Sequence, residues 1–239
     1  DLQYSNFTNS ILSNAFFESA NMNNINLSNA NLNRAKLPNV NLKNANLLKS
    51  QLNNVDLNEA NLERVKLNST NIRYSNLINV DLKWADIRYA DLSNSNLSNS
   101  ILDEAYIDNS VFNNVSFKNA SLNNVKILNS NIKQSNFKNS TIINATIIRS
   151  DFTKSNFEEA TVQNSEIVSS IFNSINFTRG TLLNVRLDNI LFRNSIFLGA
   201  SIWKNNMINA DFNGAILSKA NLRNDNLNNF NIQNTNIRN

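Results

Sequence analysis

An apolar residue recurs at every fifth position along the whole chain, and this spacing restricts the possible folds more than any other property of the sequence. From Leu2 to Ile237, all 48 positions in this frame hold Leu, Ile, Phe, Met or Val. Small residues fill a second frame: 41 of the 47 multiples of five from Ser5 to Thr235 are Ala, Ser, Val, Thr or Gly. The exceptions in the second frame are Ile25, Ile175, Ile190, Asn205, Asp225 and Phe230.

A period of five matches neither an α-helix, with about 3.6 residues per turn, nor a flat strand, with a period of two. Each unit is therefore expected to make a short extended stretch followed by a corner. One large and one small residue then point inward, and the other three residues point outward.

Individual units resemble the repeat of a known family. The segments 30–34 and 60–64 read Ala-Asn-Leu-Asn-Arg and Ala-Asn-Leu-Glu-Arg, which is similar to the A-(D/N)-L-x-x unit of the pentapeptide-repeat family. The resemblance covers essentially the whole chain. It implies an all-β fold, a right-handed four-sided β-helix with four repeats, or about 20 residues, in each coil. We expect one domain over residues 1–239, with about twelve coils and no inserted loops.

Two patterns in the sequence support a four-repeat coil independently. Lys43, Glu63, Lys83 and Asp103 alternate in charge at this spacing, as expected for residues that lie above one another at about 4.8 Å. Phe also concentrates at the inward position of two sides, which predicts two interior stacks. The predicted stacks contain Phe112, Phe152, Phe172, Phe192 and Phe212, and Phe17, Phe117, Phe137, Phe157, Phe177 and Phe197.

Asn is unusually abundant, and it occupies 26 of the 48 corner positions two places after the apolar residue. Among residues other than Gly, Asn best tolerates a positive φ and can hydrogen-bond its own turn. Since the chain has only three Gly, we interpret Asn as the corner residue of the coil.

Composition argues against catalysis. The chain has no Cys and no His, so it lacks a thiol nucleophile and the usual acid, base and metal ligand near neutral pH. Asp81, Asp86 and Asp91 fall on three successive sides and should diverge. The adjacent acids Asp103 and Glu104, and Glu158 and Glu159, should project into solvent. We therefore expect a protein that is not an enzyme and that has no cofactor, no metal and no pocket for a small molecule.

The charge and hydropathy patterns restrict the partners. The net charge is +4, and Lys and Arg are spread evenly over the four sides, whereas a nucleic-acid-binding protein gathers cations along one face. No nucleic acid is expected as a partner. No apolar run is long enough to span a bilayer, so we expect no membrane insertion and a location in the bacterial cytoplasm or another soluble compartment. The chain begins at Asp1 rather than Met, as expected for part of a longer protein.

The family resemblance suggests one specific alternative function. One branch of the family is similar to DNA in shape and negative charge, binds type II topoisomerases and protects them from quinolones. This chain shares the rod but not a strongly acidic surface, and its repeat continues to Ile237 with no evident dimerisation helix at the C-terminal end. The favoured hypothesis is a rigid scaffold that presents a surface to an unidentified protein partner, either a different protein or a second copy of the chain.

Two outward clusters are candidates for that surface. The candidate patch lies on two adjoining sides in the C-terminal half, at positions that are mostly polar in the N-terminal half. It comprises Leu128, Ile143, Ile148, Val168, Leu183, Trp203 and Ile208. Stacked every ~5 Å, these side chains could form an apolar area typical of association sites. β-Branched residues selected only for strand propensity are the alternative explanation.

The second cluster, here called the aromatic cluster, lies in the middle coils. It comprises Arg64, Tyr74, Trp84, Arg88, Tyr89 and Tyr106. Exposed Trp, Tyr and Arg are the residues that most often anchor interfaces, although they could also simply pack on neighbouring coils. We expect these aromatic side chains to be accessible. At the C-terminal end, Asp225 and Phe230 break the small-residue frame, and we expect a distorted last coil with Asp225 turned toward solvent.

Overall fold

The computed structural model describes residues 1–237, which form a parallel β-solenoid with a strict period of four repeats. Each coil pairs with the next in one register, from the bridge between Asn6 and Asn26 to the bridge between Ile216 and Asn236. The predicted coil of four repeats is confirmed.

The three-residue strands are short because a corner follows every extended stretch. They are β1 (Asp86–Arg88), β2 (Tyr106–Asp108), β3 (Lys126–Leu128), β4 (Thr141–Ile143), β5 (Thr146–Ile148), β6 (Thr161–Gln163), β7 (Glu166–Val168), β8 (Thr181–Leu183), β9 (Arg186–Asp188), β10 (Ser201–Trp203) and β11 (Asn221–Arg223). The first sheet has the order β1-β2-β3-β5-β7-β9 and the second sheet the order β11-β10-β8-β6-β4. The two sheets cover adjoining sides of the solenoid, because β5 follows β4 directly in the chain.

The part of the solenoid built from regular strands is shorter than the predicted rod. From Asp86 to Arg223 it spans about seven turns of the solenoid, so about twelve is too high as a count of the coils that carry strands. Elsewhere the successive coils are joined by single bridges in the same register. Full strands form mainly where Thr, Ile, Val, Tyr or Leu occupy the outward positions, in agreement with the strand propensity of these residues.

The interior is filled by the two inward frames. From Met22 to Leu217, the apolar residue of each repeat is buried, and so are the small residues beside it. The Phe residues of the C-terminal half form the two predicted stacks. Phe137 lies 4.6 Å from Phe157 between ring centroids, and Phe152 lies 4.6 Å from Phe172. Phe17 shares a side with one stack, but Leu occupies its position in every coil between Phe17 and Phe117.

Every corner of the described chain adopts the left-handed conformation. The residue two places after each apolar position has a positive φ, from Tyr4 to Asn234. Asn accommodates this conformation at lower cost than other non-glycine residues, which confirms the predicted role of Asn. Bulky residues also occupy corners, including Tyr74, Trp84 and Tyr89, with φ of 58°, 56° and 59°.

Inward Ser residues carry a hydrogen-bond function that their small size alone did not indicate. The Ser75 hydroxyl accepts from the Val55 backbone N–H at 3.1 Å and donates to the Leu52 carbonyl at 2.9 Å. The Ser95 hydroxyl repeats the pattern one coil further on, accepting from the Ser75 N–H and donating to the Ile72 carbonyl. An inward hydroxyl thus satisfies buried backbone groups of the preceding coil, whose isolation would be costly.

The structure contradicts the expected distortion of the last coil. The bridges of Asp211 with Asn231 and of Ile216 with Asn236 preserve the register. Asp225 lies inward and half-buried rather than turned toward solvent. Its Oδ1 accepts from the backbone N–H of Asn205 at 2.7 Å and from the Asn205 amide at 3.0 Å. The pairing of coils fixes where each frame points, so a charged residue in the small-residue frame remains inward.

Candidate protein-interaction surface

Three members of the candidate patch form a continuous row on the first sheet, here called the apolar ladder: Leu128, Ile148 and Val168. Each is the last residue of its strand, and the register places Leu128 beside Ile148 and Ile148 beside Val168. All three are half-buried, because each is partly covered by the next coil. Asp108 precedes the row and Asp188 follows it, so the apolar ladder is bounded by a carboxylate at each end.

The other members of the candidate patch are only partly brought together. On the second sheet, Leu183 pairs with Trp203, but Gln163 separates Ile143 from Leu183. Trp203 is 42% exposed and is the most accessible member. Ile208 lies outside the strands, beyond Asp188 in the row of the apolar ladder.

The apolar rows of the two sheets are not one continuous surface. Along the chain, a corner residue and the first residue of the following strand lie between them, as Asn144 and Thr146 do between Ile143 and Ile148. In neighbouring coils the first strand residue is charged, with Lys126, Glu166 and Arg186. The candidate patch therefore consists of two narrow apolar rows with a polar and charged row between them.

The aromatic residues at the corners of the cluster are accessible, as predicted, whereas Tyr106 in strand β2 is half-buried. Tyr74, Trp84 and Tyr89 are 55%, 40% and 62% exposed. The Arg64 guanidinium lies over the Trp84 ring, 4.5 Å from its centroid. The Trp84 indole N–H donates to the Glu104 carboxylate at 2.8 Å. Trp84 is thereby held between two coils with part of its ring in solvent.

Arg88 packs on an aromatic ring of the next coil. Its guanidinium lies over the ring of Tyr106, 5.6 Å from the centroid. It also forms two hydrogen bonds with Asp86, at 2.7 and 2.6 Å. The pKa of Asp86 is lowered, since these bonds and the charge of Arg88 outweigh the effect of burial. Arg88 is thus fixed on the surface of the first sheet.

A surface groove connects the two predicted clusters. It has a volume of about 490 Å³ and is lined by Glu104, Ala105, Tyr106, Asn124, Lys126 and Leu128. Tyr106 belongs to the aromatic cluster and Leu128 to the apolar ladder. The space is an open groove between rows of long outward side chains.

Sequence reasoning missed a third exposed apolar cluster. Ile196, Leu198 and Ile216 are 37%, 40% and 37% exposed, and Ile196 pairs with Ile216. They lie on neither sheet. The signal was present in the sequence, because Ile196 and Ile216 hold the same outward position in successive coils.

Many charged side chains form surface ion pairs, and most of these pairs join neighbouring coils. Lys43 lies 2.6 Å from Glu63, and this hydrogen bond lowers the pKa of the Glu63 carboxyl. Among residues 1–237, ten of the 18 acidic residues take part in ion pairs. Within residues 1–237, no three acidic side chains converge in a way that could hold a metal ion. The described residues also contain no helix that could cross a bilayer.

Comparison with known sequences identifies the repeat. The family described as Pentapeptide repeats matches in eight copies, over residues 1–37, 25–64, 66–103, 100–139 and 206–239. No curated protein sequence matches the chain at a significant level.

Solved structures of pentapeptide-repeat proteins are similar at low identity. HetL, involved in regulation of heterocyst differentiation in the cyanobacterium Nostoc sp. strain PCC 7120, is 17% identical. The match covers 98% of this chain and 89% of HetL, with a TM-score of 0.39. A trypsin-treated variant of QnrB1, a plasmid-mediated fluoroquinolone resistance protein, is 15% identical, with 77% and 90% covered and a TM-score of 0.47. A thylakoid-lumen protein of Arabidopsis thaliana is 21% identical, with 56% and 69% covered and a TM-score of 0.18.

Proposed function

The chain belongs to the pentapeptide-repeat family, whose repeat specifies a solenoid fold and no particular reaction. On this basis we propose that the chain is a non-enzymatic scaffold that binds a protein through its outer surface. The observation that carries the proposal is the apolar ladder. Leu128, Ile148 and Val168 are aligned in three consecutive coils and remain half-exposed on a sheet. Aligned apolar groups on a rigid surface can be buried by a partner with little loss of conformational entropy.

Two other features support a protein as the ligand. The groove beside the apolar ladder is lined by Tyr106, Lys126 and Leu128, which combine an aromatic ring, a cation and an aliphatic group. Trp84 and Tyr89 are exposed nearby along the chain and stand at rigid corners. Exposed aromatic anchors beside a small apolar centre are typical of protein interfaces.

The same residues would also be favoured if strand propensity alone selected them, since six of the seven members of the candidate patch end a strand. Replacing Ile148 and Val168 with Lys separates the two explanations. We expect both variants to lose binding to partners recovered with the tagged wild-type protein and to change any concentration-dependent mass in solution. Ile78→Lys, the same kind of change at a half-buried outward position outside both sheets, is the matched control.

The proposal fails if the wild type is monomeric, recovers no partner and is unchanged by both substitutions. Mass is measured by light scattering, and folding of each variant is checked by circular dichroism. Topoisomerase binding by DNA mimicry is disfavoured, because the net charge is positive and ten acidic residues are ion-paired. A supercoiling assay tests it: inhibition at micromolar protein would revive that function.

A further inference from the structure

The first sheet is self-complementary about its strand β5. We propose that two copies of the chain associate through this sheet as an antiparallel dimer, with the two-fold axis along Thr146–Ile148. The inference rests on the proposed function, because it names the partner of the apolar ladder. It is supported by the apolar residues and the charged residues on the two sides of β5, which are complementary.

The apolar residues are arranged symmetrically about β5. Strands β3 and β7 flank β5 on either side. A two-fold axis along β5 reverses the order of strands but keeps each residue position within its strand, so β3 of one copy faces β7 of the other. Leu128 would then face Val168 of the second copy, and Ile148 would face its own equivalent. The apolar ladder would be covered from end to end by an identical ladder.

The charged row of the same strands is complementary under the same operation. Lys126 is exposed and forms no ion pair with the described residues. The axis places it opposite Glu166 of the second copy. Glu166 contacts Arg186 through Oε1 at 2.7 Å and keeps its side chain 44% exposed. Each dimer would therefore contain two new pairs of Lys126 with Glu166.

The next pair of strands outward also matches in type. Tyr106 of β2 would face Arg186 of β9 in the second copy, an arrangement that permits a cation–π contact. Asp108 would face Asp188, but Asp188 is paired with Arg186 at 2.6 Å, which offsets the repulsion. Arg149 lies at the corner beside the axis and donates to Asn129 at 2.8 Å. Because Arg149 would approach its own equivalent, it opposes the dimer.

The face from β2 to β9 contains five strands, and its outer strands lie about 19 Å apart at the usual strand separation. Such a narrow interface is small for a stable complex. We therefore expect weak association, with a Kd on the order of 10–100 µM. Sedimentation equilibrium would measure this Kd.

Charge reversal tests this arrangement with an internal rescue. Lys126→Glu or Glu166→Lys alone replaces both intermolecular pairs with like charges, and each should weaken the dimer by about 10- to 100-fold. The double variant restores opposite charges across the axis and should recover most of the affinity. Within one chain, Lys126 and Glu166 are separated by Thr146 in the row, so rescue through a direct intramolecular pair is not expected. Lys118→Glu makes the same change of charge as Lys126→Glu at an exposed position away from this sheet and should leave the Kd unchanged.

Cross-linking tests the position of the axis. The chain contains no Cys, so Ile148→Cys introduces a single thiol that would meet its own equivalent and form a covalent dimer under mild oxidation. Ile208→Cys lies in the same row but away from the axis and should cross-link much less.

The inference is overturned if the wild type stays monomeric to about 500 µM, well above the expected Kd. It is also overturned if the double charge variant is no better than the single variants, or if both thiols cross-link equally. Binding of a different protein that depends on Ile148, together with a strictly monomeric wild type, would refute the dimer while supporting the proposed function. If the wild type is strictly monomeric and also binds no other protein through Ile148, both the dimer and the proposed function are refuted.

Discussion

Asp225 is the inward residue whose chemistry fits its position least well. Asn205, one coil earlier in the same frame, accepts from the Val185 N–H through Oδ1 and donates through its amide to the Leu182 carbonyl. Asp225 accepts from Asn205 in the corresponding way, but its buried Oδ2 has no hydrogen-bond partner among the residues that the structure describes. One coil after Leu182, the equivalent acceptor is the carbonyl of Ile202, which a carboxylate cannot satisfy.

We predict that Asp225→Asn stabilises the C-terminal coils at neutral pH by about 1 kcal/mol, because the amide can donate where the carboxylate cannot. Burial raises the pKa of Asp225. Its ionisation therefore opposes folding, and the wild type loses stability as the pH rises through the raised pKa of the folded state. The advantage of the variant should be largest at neutral pH and should shrink below the ordinary pKa of Asp. Hydrogen exchange of the C-terminal coils at several pH values measures it, and an advantage that grows on acidification would contradict the assignment.

Corner positions carry a different local cost. Tyr89 has a φ of 59° and is 62% exposed, so the bulky residue is in the left-handed conformation without the benefit of burial. We predict that Tyr89→Asn raises stability by about 1 kcal/mol, since the left-handed conformation costs ordinary residues roughly 1–2 kcal/mol. Tyr106→Asn is the matched control within a strand and should destabilise, because it removes the stack with Arg88. Thermal unfolding of both variants measures the difference. A stabilising Tyr106→Asn would show that the effect is not specific to corners.

At the scale of the strand, core packing is uneven around β6. Val162 is the only Val at an inward apolar position, and it pairs with Ile142 and Leu182 in the neighbouring strands. A small cavity of about 10 Å³ lies beside it and is lined by apolar residues, including Phe157 and Phe172. One methyl group in Val162 is therefore missing relative to its neighbours.

We predict that Val162→Ile stabilises the protein by up to about 0.8 kcal/mol, the value of one buried methylene, provided that the longer side chain finds an unstrained rotamer. Ile142→Val, one coil earlier, should destabilise by roughly 0.5–1.5 kcal/mol. Chemical denaturation of the two variants and the wild type gives both values. If Val162→Ile destabilises, the cavity is too tight for the added atom.

The sequence predicted the elements well where the repeat frame controls them. The five-residue period determined the inward Phe stacks, the left-handed Asn corners and the pairing of each residue with its equivalent in the next coil, because these depend on the frame alone. It did not distinguish strands from single bridges, which depend on outward residues such as Thr146 and Ile148. The groove beside Leu128 and the stack of Arg88 on Tyr106 were also missed, since long flexible side chains choose among several neighbours. Asp225 was predicted wrongly because the pairing of coils overrides the preference of a carboxylate for solvent.

At the scale of the whole molecule, surface properties follow rows rather than coils. The apolar ladder, the charged row from Lys126 to Arg186 and the Phe stacks all run parallel to the solenoid axis. Each coil contacts only its immediate neighbours, so stability is distributed as a sum of local terms. A partner that lies along one side can therefore contact several coils without any large change in their structure.

Because the register is strict, the residue number determines the direction in which an outward side chain points from the solenoid axis. One repeat turns the chain through a quarter of a revolution, and only four repeats return it to the same direction, one coil higher. Deleting a single repeat between Ile148 and Val168 would leave both inward frames unbroken, yet Val168 would move onto the adjoining side and the apolar ladder would end. Deleting four repeats would leave the direction of every remaining outward side chain unchanged and would only shorten the solenoid by one coil. Gain or loss of one repeat thus redirects surface groups, whereas gain or loss of a whole coil lengthens or shortens the rows in which they stand.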